Sequence, residues 1–451
     1  MAGVPDDDRM PRYLEASWRK VHRCLHGREH LERTADALSV ALAATLRATH
    51  GVPRLAGIAA QMQEVASDGA PAQSRRPGLR ELRRGSTWAR KLWLRVPVRE
   101  PQLWARHGDL LTDLLDWLTD DVWDLEFGQL PEGAGPLDER QGFLFDTVPA
   151  GSVPVLFSAG LDSAAGLAAH LTHSDAVAIS VDTSNWMQHV QQSVLQGLGM
   201  VSPRSCIPLR YRVSVRTDSV ESSQRSRGLL FLAVGIATAW TVDEDRLIVF
   251  ENGIGAINLP YLRSQFRSQA TRSMHPRTLR LAEQLAAEVS HRPFRIEAPA
   301  LTLTKAQAIR IAPAAADPAL VLTVSCDTGF SARVRNRAPC GICTSCLLRR
   351  QALLAAGRAD LDDATRYRTK SPADAPELHA MQWQVARLQA CLGKPEPWPS
   401  LVAQYPEALD TAPLTPEQVI NLYRSYVQEW DGLRGTPGIG GQLWRGGTAA
   451  L

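Results

Sequence analysis

The stretch VPVLFSAGLDSAAGLAAHL, residues 153–171, decides the fold. It begins with a short apolar run typical of a buried strand, passes through a Ser/Gly turn, and continues with a helical pattern. A turn of this kind presents free backbone amides and the positive end of the helix dipole, which together bind phosphate. The stretch therefore predicts a phosphate-binding loop between a strand and a helix, although Asp and Ser also favour ordinary helix starts.

Strands and helices continue to alternate downstream of this stretch. Further apolar strands are predicted at AVAISVD (176–182), CIPLRYRVSV (206–215) and RLIVFEN (246–252), with a buried helix at GLLFLAVGIATAW (228–240). This alternation predicts an α/β fold with a doubly wound parallel sheet, whose ligands lie beyond the carboxyl ends of the strands.

The flanking regions differ from this central pattern. Residues 1–149 are predicted as a small α+β N-terminal domain, which combines helices, one of them within 29–48, with a β-α-β element between Lys91 and Phe127. A proline and glycine cluster near 130–150 marks its end. The central domain is expected over 150–357, and 358–451 is expected to be helical with a mobile tail from Arg434.

Composition excludes several classes of protein. With 44% apolar residues, the 451-residue chain can bury a real core. The longest apolar run, 228–240, is shorter than the ~20 residues of a membrane span, and the N-terminus has no apolar leader, so we expect a cytoplasmic protein. A net charge of +3 does not by itself indicate nucleic acid or membrane. The basic run at 75–95 is expected to be a solvated face, or else a docking surface for an acidic partner or tRNA.

Four of the seven cysteines lie close together: Cys326, Cys340, Cys343 and Cys346. Four thiolates with two C-x2-C steps are typical of a closed, structural Zn2+ site. A [4Fe–4S] cluster is the alternative, although the proline that usually follows a fourth cysteine is absent.

The turn SAGLDS resembles the SGGxDS signature of the PP-loop ATP pyrophosphatases, with Ala159 where the family usually has glycine. The resemblance implies that ATP is bound here. The cradle consists of Ser158, Ala159, Gly160, Leu161, Asp162 and Ser163. Glycine allows close approach of the anion, hydroxyls add donors, and the carboxylate of Asp162 could hold Mg2+.

Together with the element C-x13-CGICTSCLLRR, this loop resembles the 7-cyano-7-deazaguanine synthase (QueC) family over about residues 150–357. The resemblance implies adenylation of the carboxylate of 7-carboxy-7-deazaguanine, displacement of AMP by ammonia, and dehydration of the amide to the nitrile. It also implies a role for Lys305 in neutralising charge on departing pyrophosphate. With its long additions before and after the central domain, the chain resembles QatC and its relatives in bacterial anti-phage operons, which implies a partner protein whose N-terminus receives the deazaguanine as an amide.

Other polar residues follow the predicted strands or the buried helix. Asp182 is a candidate for ribose or metal at a strand end, or a helix cap. Arg225 and Arg227 precede the buried helix, and one of them is expected to bind phosphate or the substrate carboxylate, with Arg227 the catalytic candidate. The candidates for binding the substrate are Glu251, Asn252, Asn258, Arg272 and His275.

The leading prediction is thus an ATP-dependent carbon-nitrogen ligase. Two alternatives stay open: a tRNA-modifying PP-loop sulfurtransferase whose cysteines hold iron–sulfur, and a catalytically silent module that binds a partner.

Overall fold

The computed structural model describes residues 36–38, 40–41, 43–45, 91–130, 151–182, 185–212, 225–261, 271–327, 338–436 and 438–444. Most of the predicted basic run at 75–95 and of the predicted boundary at 130–150 lies outside these residues. The helix predicted within 29–48 is described in three short stretches, all helical. Within the described ranges, no helix is long and apolar enough to cross a membrane.

Residues 91–129 form a β-α-β element, which we call the N-terminal unit. Its strands β1 (Lys91–Val98) and β2 (Val122–Gln129) pair in parallel. Helices α1 (Pro101–Arg106) and α2 (Gly108–Thr119) connect them, and α2 buries a stripe of leucines at helical spacing. The β-α-β element predicted from the sequence is confirmed, with its connection divided into two helices.

The central sheet has five parallel strands in the order β5-β4-β3-β6-β7. They are β3 (Val153–Leu156), β4 (Ala176–Asp182), β5 (Cys206–Arg212), β6 (Arg246–Val249) and β7 (Arg295–Glu297). The predicted doubly wound α/β fold is confirmed, and only the three-residue strand β7 was not predicted. Because β3 lies between β4 and β6, the winding reverses there, and in open α/β sheets ligands bind beyond the strand ends at such a reversal.

Helices cover both faces of this sheet. They are α3 (Leu161–His170), α4 (Asn185–Val201), α5 (Arg227–Thr241), α6 (Gly253–Ile257), α7 (Pro276–Ser290), α8 (Lys305–Arg310), α9 (Asp317–Val321) and α10 (Thr344–Ala355). On one face, the core around Leu232 and Val249 is continuous with that of the N-terminal unit through Trp104. On the other face, Leu161 of α3 and Ile309 of α8 belong to a second buried cluster.

The C-terminal region is helical, as predicted. Its helices are α11 (Ala359–Ala364), α12 (Pro376–Leu392), α13 (Pro397–Gln404), α14 (Pro416–Asp431) and α15 (Ile439–Trp444). Its core includes Met381 and Trp430, and it extends to Ile254 and Leu347 of the central domain. The tail predicted from Arg434 is wrong in part: residues 439–444 are helical, and Leu443 is fully buried.

Candidate functional site

The predicted phosphate-binding loop connects β3 to α3. Gly160 is the N-cap of α3 and offers no side-chain oxygen to its first turn. The hydroxyl of Ser158 accepts from the Gly160 amide at 3.2 Å and lies 3.1 Å from the hydroxyl of Ser163. Ser163 in turn donates to the Gly160 carbonyl at 3.0 Å. These bonds hold an extended turn in front of a helix N-terminus, a geometry suited to an anion.

Ala159 has a left-handed backbone, with φ of 61°, and is completely buried. A residue with a Cβ is strained in this conformation by roughly 1–2 kcal/mol, which explains why glycine is common at this place in the signature. A neighbouring segment stabilises this strained conformation, because the Ala159 carbonyl accepts a hydrogen bond from the Val324 amide at 3.0 Å. The loop thus holds Ala159 in the left-handed conformation.

Four polar side chains meet next to this loop at the carboxyl edge of the sheet. The ammonium group of Lys305 forms a buried ion pair with the carboxylate of Asp162. The side-chain amide of Asn252 donates to Asp162 at 3.2 Å and to Glu251 at 3.1 Å, while its oxygen accepts from the Gly255 amide. The site therefore brings together α3, the turn after β6, and the first residue of α8.

Electrostatics in this cluster favour one uncharged carboxyl group. Burial raises the pKa of Glu251 to about 8, and the nearby charge of Asp162 contributes in the same direction, whereas Lys305 opposes it. Two carboxylates and one ammonium group would otherwise leave a net negative charge in a buried place. A cation that entered the cluster would stabilise both carboxylates.

The other predicted residues have different surroundings. Asp182 ends β4 at the same edge of the sheet, opposite Arg212 of β5. Arg227 begins α5, where burial lowers the pKa of its guanidinium group and the group lies over the ring of Phe231. Asn258 ends α6 in a left-handed conformation and donates to the Thr271 carbonyl at 3.0 Å.

Arg225 and Arg272 are directed to the N-terminal unit. Arg272 donates to the carboxylate of Asp120 at 2.8 Å and lies over the indole ring of Trp117. Arg225 donates to the Thr119 carbonyl at 2.8 Å. These contacts join the N-terminal unit to the segments before α5 and α7. The expected contact of Arg272 with substrate stays a prediction, and it would require this pair to open.

His275 also packs on Trp117, with ring centroids 4.9 Å apart. Its Nδ1 accepts from the Arg277 amide at the start of α7, and burial lowers the pKa of the imidazole to about 4. The ring is therefore neutral at physiological pH and caps a helix. Its predicted role in binding substrate stays a prediction.

The four clustered cysteines are all buried, and their sulfur atoms lie within 4.8 Å of one another. Thiolates that share one zinc ion at ~2.3 Å in a tetrahedron lie ~3.8 Å apart, so the arrangement fits a single ion. Each thiolate of a [4Fe–4S] cluster binds a different iron, which requires wider spacing. Without a cation, hydrogen bonding to Cys326 raises the pKa of Cys343 and Cys346, so these thiols need a metal in order to ionise.

Backbone geometry around the cysteines also fits a metal knuckle. The amides of Ile342 and Cys343 point at the sulfur of Cys340, at 3.5 and 3.2 Å. Gly341, between Cys340 and Ile342, has φ of 86°, and a Cβ there would clash with the Thr369 carbonyl oxygen. Only glycine fits this turn.

The cysteine cluster connects directly to the phosphate-binding loop. Cys326 follows Ser325, whose hydroxyl accepts from the Leu161 amide at 3.5 Å, and Val324, whose amide donates to Ala159. A metal ion that fixes Cys326 would thus also fix the segment that supports the loop.

A strand order that reverses beside a phosphate-binding turn, with buried carboxylates and a lysine at the same edge, defines a nucleotide-binding α/β protein of the PP-loop class. Residues 219–357 match the family model described as "Queuosine biosynthesis protein QueC". The matched range contains Glu251, Lys305 and all four clustered cysteines, and it begins after the loop at 158–163.

Relatives extend the similarity further along the chain. The chain is 27% identical over 232 residues to a 7-cyano-7-deazaguanine synthase of Synechococcus sp. (strain CC9605), which covers 47% of this chain and 96% of the relative. It is 35% identical over 147 residues to a 7-cyano-7-deazaguanine synthase of Anaeromyxobacter sp. (strain Fw109-5), covering 32% of this chain and 54% of the relative. The central part of this chain is therefore similar to the QueC family, with the family-model match at residues 219–357.

Proposed function

We propose that this protein uses ATP to activate a 7-deazaguanine carboxylate as an acyl adenylate and then joins it to an amine as an amide. The observation that carries the proposal is the cluster of Asp162, Lys305 and Glu251 beside an open helix N-terminus at the reversal of the sheet. A phosphate chain and a carboxylate must be held in line there, and positioning with charge stabilisation supplies most of the rate enhancement.

The first step takes place at the α-phosphorus of ATP. The substrate carboxylate oxygen attacks this atom, and the bond to the β-phosphate oxygen breaks, so that pyrophosphate leaves. Backbone amides at 159–163 and the hydroxyls of Ser158 and Ser163 hold phosphate oxygens. Lys305 balances the charge that develops on the leaving group. Mg2+, held by Asp162 and Glu251, would neutralise the phosphates further.

In the second step the amine nitrogen attacks the acyl carbon, AMP leaves with the carboxylate oxygen, and the amine proton passes to solvent. Glu251, whose raised pKa lets it change charge with its surroundings, can donate a hydrogen bond to the deazaguanine base when neutral or accept one from it when charged. Asn252 uses both polar atoms internally, which suits it for holding the two carboxylates rather than for contacting the base.

The proposed acceptor is the N-terminus of a partner protein, in the setting of anti-phage defence. The similarity to the Synechococcus synthase uses less than half of this chain, so the flanking regions are additional to it. Each region contacts a described residue near the site: Gln384 of α12 donates to the Leu259 carbonyl, and Asp120 binds Arg272. A protein N-terminus needs a docking surface around the site, whereas ammonia does not.

A second candidate is favoured by the names of the relatives, namely synthesis of the free nitrile from ammonia. The test is incubation with ATP, 7-carboxy-7-deazaguanine and either ammonia or the products of neighbouring genes, followed by mass spectrometry. A deazaguanine amide on a partner N-terminus supports the ligase. Efficient release of free 7-cyano-7-deazaguanine, with no partner modified, supports the nitrile synthase.

The same incubation tests the remaining alternatives. Absence of AMP and pyrophosphate with every acceptor would favour a silent binding module. A brown protein that holds iron instead of zinc would favour a sulfurtransferase.

A further inference from the structure

The C-terminal helix α14 places a carboxylate, that of Glu429, against the element that begins with Lys305. Glu429 is partly buried and accepts a hydrogen bond from the hydroxyl of Thr304 at 2.5 Å. Its second oxygen accepts from the side-chain amide of Gln351 at 3.4 Å. Burial raises the pKa of Glu429, and these hydrogen bonds oppose that effect. The residue lies outside the range that matches the QueC family model.

Thr304 connects Glu429 to the site. It is fully buried and is the N-cap of α8, where its hydroxyl accepts from the Gln307 amide at 3.1 Å. Because that hydroxyl donates its only proton to Glu429, its lone pairs face the helix. The next residue, Lys305, forms the ion pair with Asp162. Rotation of the Thr304 hydroxyl is therefore coupled to the start of the helix that carries Lys305.

Thr304 also lies beside the other half of the site. The carbonyl of the preceding residue, Leu303, accepts from the Gly253 amide at 2.9 Å, directly after Glu251 and Asn252. A shift of the 303–305 segment would thus move the lysine and the turn that carries the second carboxyl group together.

We propose that Glu429 is a positioning residue for the adenylation step, acting through Thr304 on Lys305. The inference rests on the proposed function, because it assumes that Lys305 acts on the phosphates. It assigns to the C-terminal region a role inside the site, in addition to any docking of a partner. Misplacement of a reacting group by about 1 Å can cost ~100-fold in rate.

Three variants separate this role from a merely structural one, with pyrophosphate release from ATP and 7-carboxy-7-deazaguanine as the assay. We expect Glu429→Ala to lower kcat about 10- to 100-fold while KM for ATP stays within about threefold, because ground-state binding by the loop is retained. Glu429→Gln should keep kcat within about threefold, since its amide oxygen still accepts from Thr304. The exposed Glu417→Gln, on the same helix, is the matched control and should equal the parent.

The local geometry allows the rescue by glutamine. In the Glu429→Gln variant, the NH2 group of the new side chain would face the NH2 group of Gln351, which is a clash of donors. The side-chain oxygen of Gln351 is buried without a hydrogen-bond partner among the described residues, so a flip of this side chain would accept the new donor.

Thr304→Val and Thr304→Ser form a second pair in case Glu429→Ala does not fold. Valine, which has no hydroxyl, should show the same loss of kcat, and serine should retain activity. Adding Glu429→Ala to Thr304→Val should cause no further loss if the two act in one chain.

Several results would overturn the inference. One is a parental kcat in Glu429→Ala or Thr304→Val, including the case in which the variant melts at a lower temperature but keeps its kcat. Another is a Glu429→Gln variant that is as slow as Glu429→Ala. The Lys305→Met variant distinguishes a failure of the positioning role from a failure of the proposed function. Parental kcat in this variant contradicts the proposed function itself. If Lys305→Met is inactive but Glu429→Ala is fast, only the positioning role is wrong.

Discussion

Removing the carboxylate of Asp162 should destabilise the protein as well as inactivate it. From the sequence alone, Asp162→Ala is expected to abolish AMP and pyrophosphate production and to leave the fold intact, because an exposed rim is the natural place for a metal ligand. In the structure the two side chains of the Asp162–Lys305 pair are only 10% and 7% exposed. The alanine variant would therefore leave a buried ammonium group without its main partner.

The size of the effect follows from that burial. Breaking one side of a buried ion pair costs about 3–5 kcal/mol. Here the lower end applies, because removal of Asp162 also removes a negative charge that raises the pKa of Glu251, so Glu251 can ionise and partly replace the lost partner. A loss of about 3 kcal/mol corresponds to a fall of roughly 6–12 °C in the melting temperature of a 150–250-residue unit.

Calorimetry on the parent, on Asp162→Ala and on the double variant Asp162→Ala/Lys305→Met tests this reasoning. The double variant should regain most of the lost stability, since it removes the stranded charge and substitutes an apolar side chain of similar length. Both variants should lack AMP formation. A single variant that melts within about 1 °C of the parent, or a double variant no more stable than the single one, would refute the buried-pair argument.

Three further predictions concern the metal, the loop and pH. Cys343→Ser should lose stoichiometric zinc and melt at a lower temperature. It should also bind ATP more weakly, because the metal ion fixes Cys326 and thereby the segment behind the loop. Unchanged metal content by mass spectrometry would contradict this. Ala159→Gly should change stability by no more than about 1 kcal/mol, since relief of strain is offset by unfolded-state entropy and a lost methyl group, whereas Ala159→Val should cost about 2 kcal/mol or more in denaturant titrations. Equal stability of the two variants would argue against the left-handed backbone. The raised pKa of Glu251 contributes stability that is fully present below pH 4.5 and lost as pH rises through about 8. Relative to the parent, Glu251→Gln should therefore gain melting temperature between about pH 5 and 8, and a constant difference would count against the raised pKa.

Local signals were sufficient for the fold and the metal site. The strand and helix of 153–171 form as predicted, and the Cys-x13-Cys-x2-Cys-x2-Cys spacing brings four sulfur atoms together. Each of these inferences depends on residues close in sequence, where backbone geometry limits the outcomes. Strand β7 was missed because three residues are too few to show a period of two.

Arginines near the site show where local signals fail. Arg225 and Arg272 follow a pattern that suits phosphate or carboxylate, yet their partners are Asp120 and the backbone of residues 117 and 119 in the N-terminal unit. A guanidinium group binds a protein carboxylate as well as it binds a substrate, and nothing in its own segment distinguishes the two. The partner of each arginine is supplied by the N-terminal unit, which lies more than 100 residues away in the sequence.

The same limit explains why the contacts within the site, and the residues Thr304 and Glu429 that support it, were not found from the sequence. Asp162 and Lys305 are 143 positions apart, and Thr304 and Glu429 are 125 apart, so each pair depends on how whole elements pack. Lys305 was predicted through a family resemblance, whereas Glu429 lies in a region that the family model does not cover. Its local signal is a carboxylate directly before the buried Trp430 and two positions after the buried Val427 of α14. A charged residue there is costly unless it has partners, and here the partners are the cap of the site helix and the helix that follows the metal knuckle. The position of that charge is therefore better explained by the needs of the site than by the stability of α14 alone.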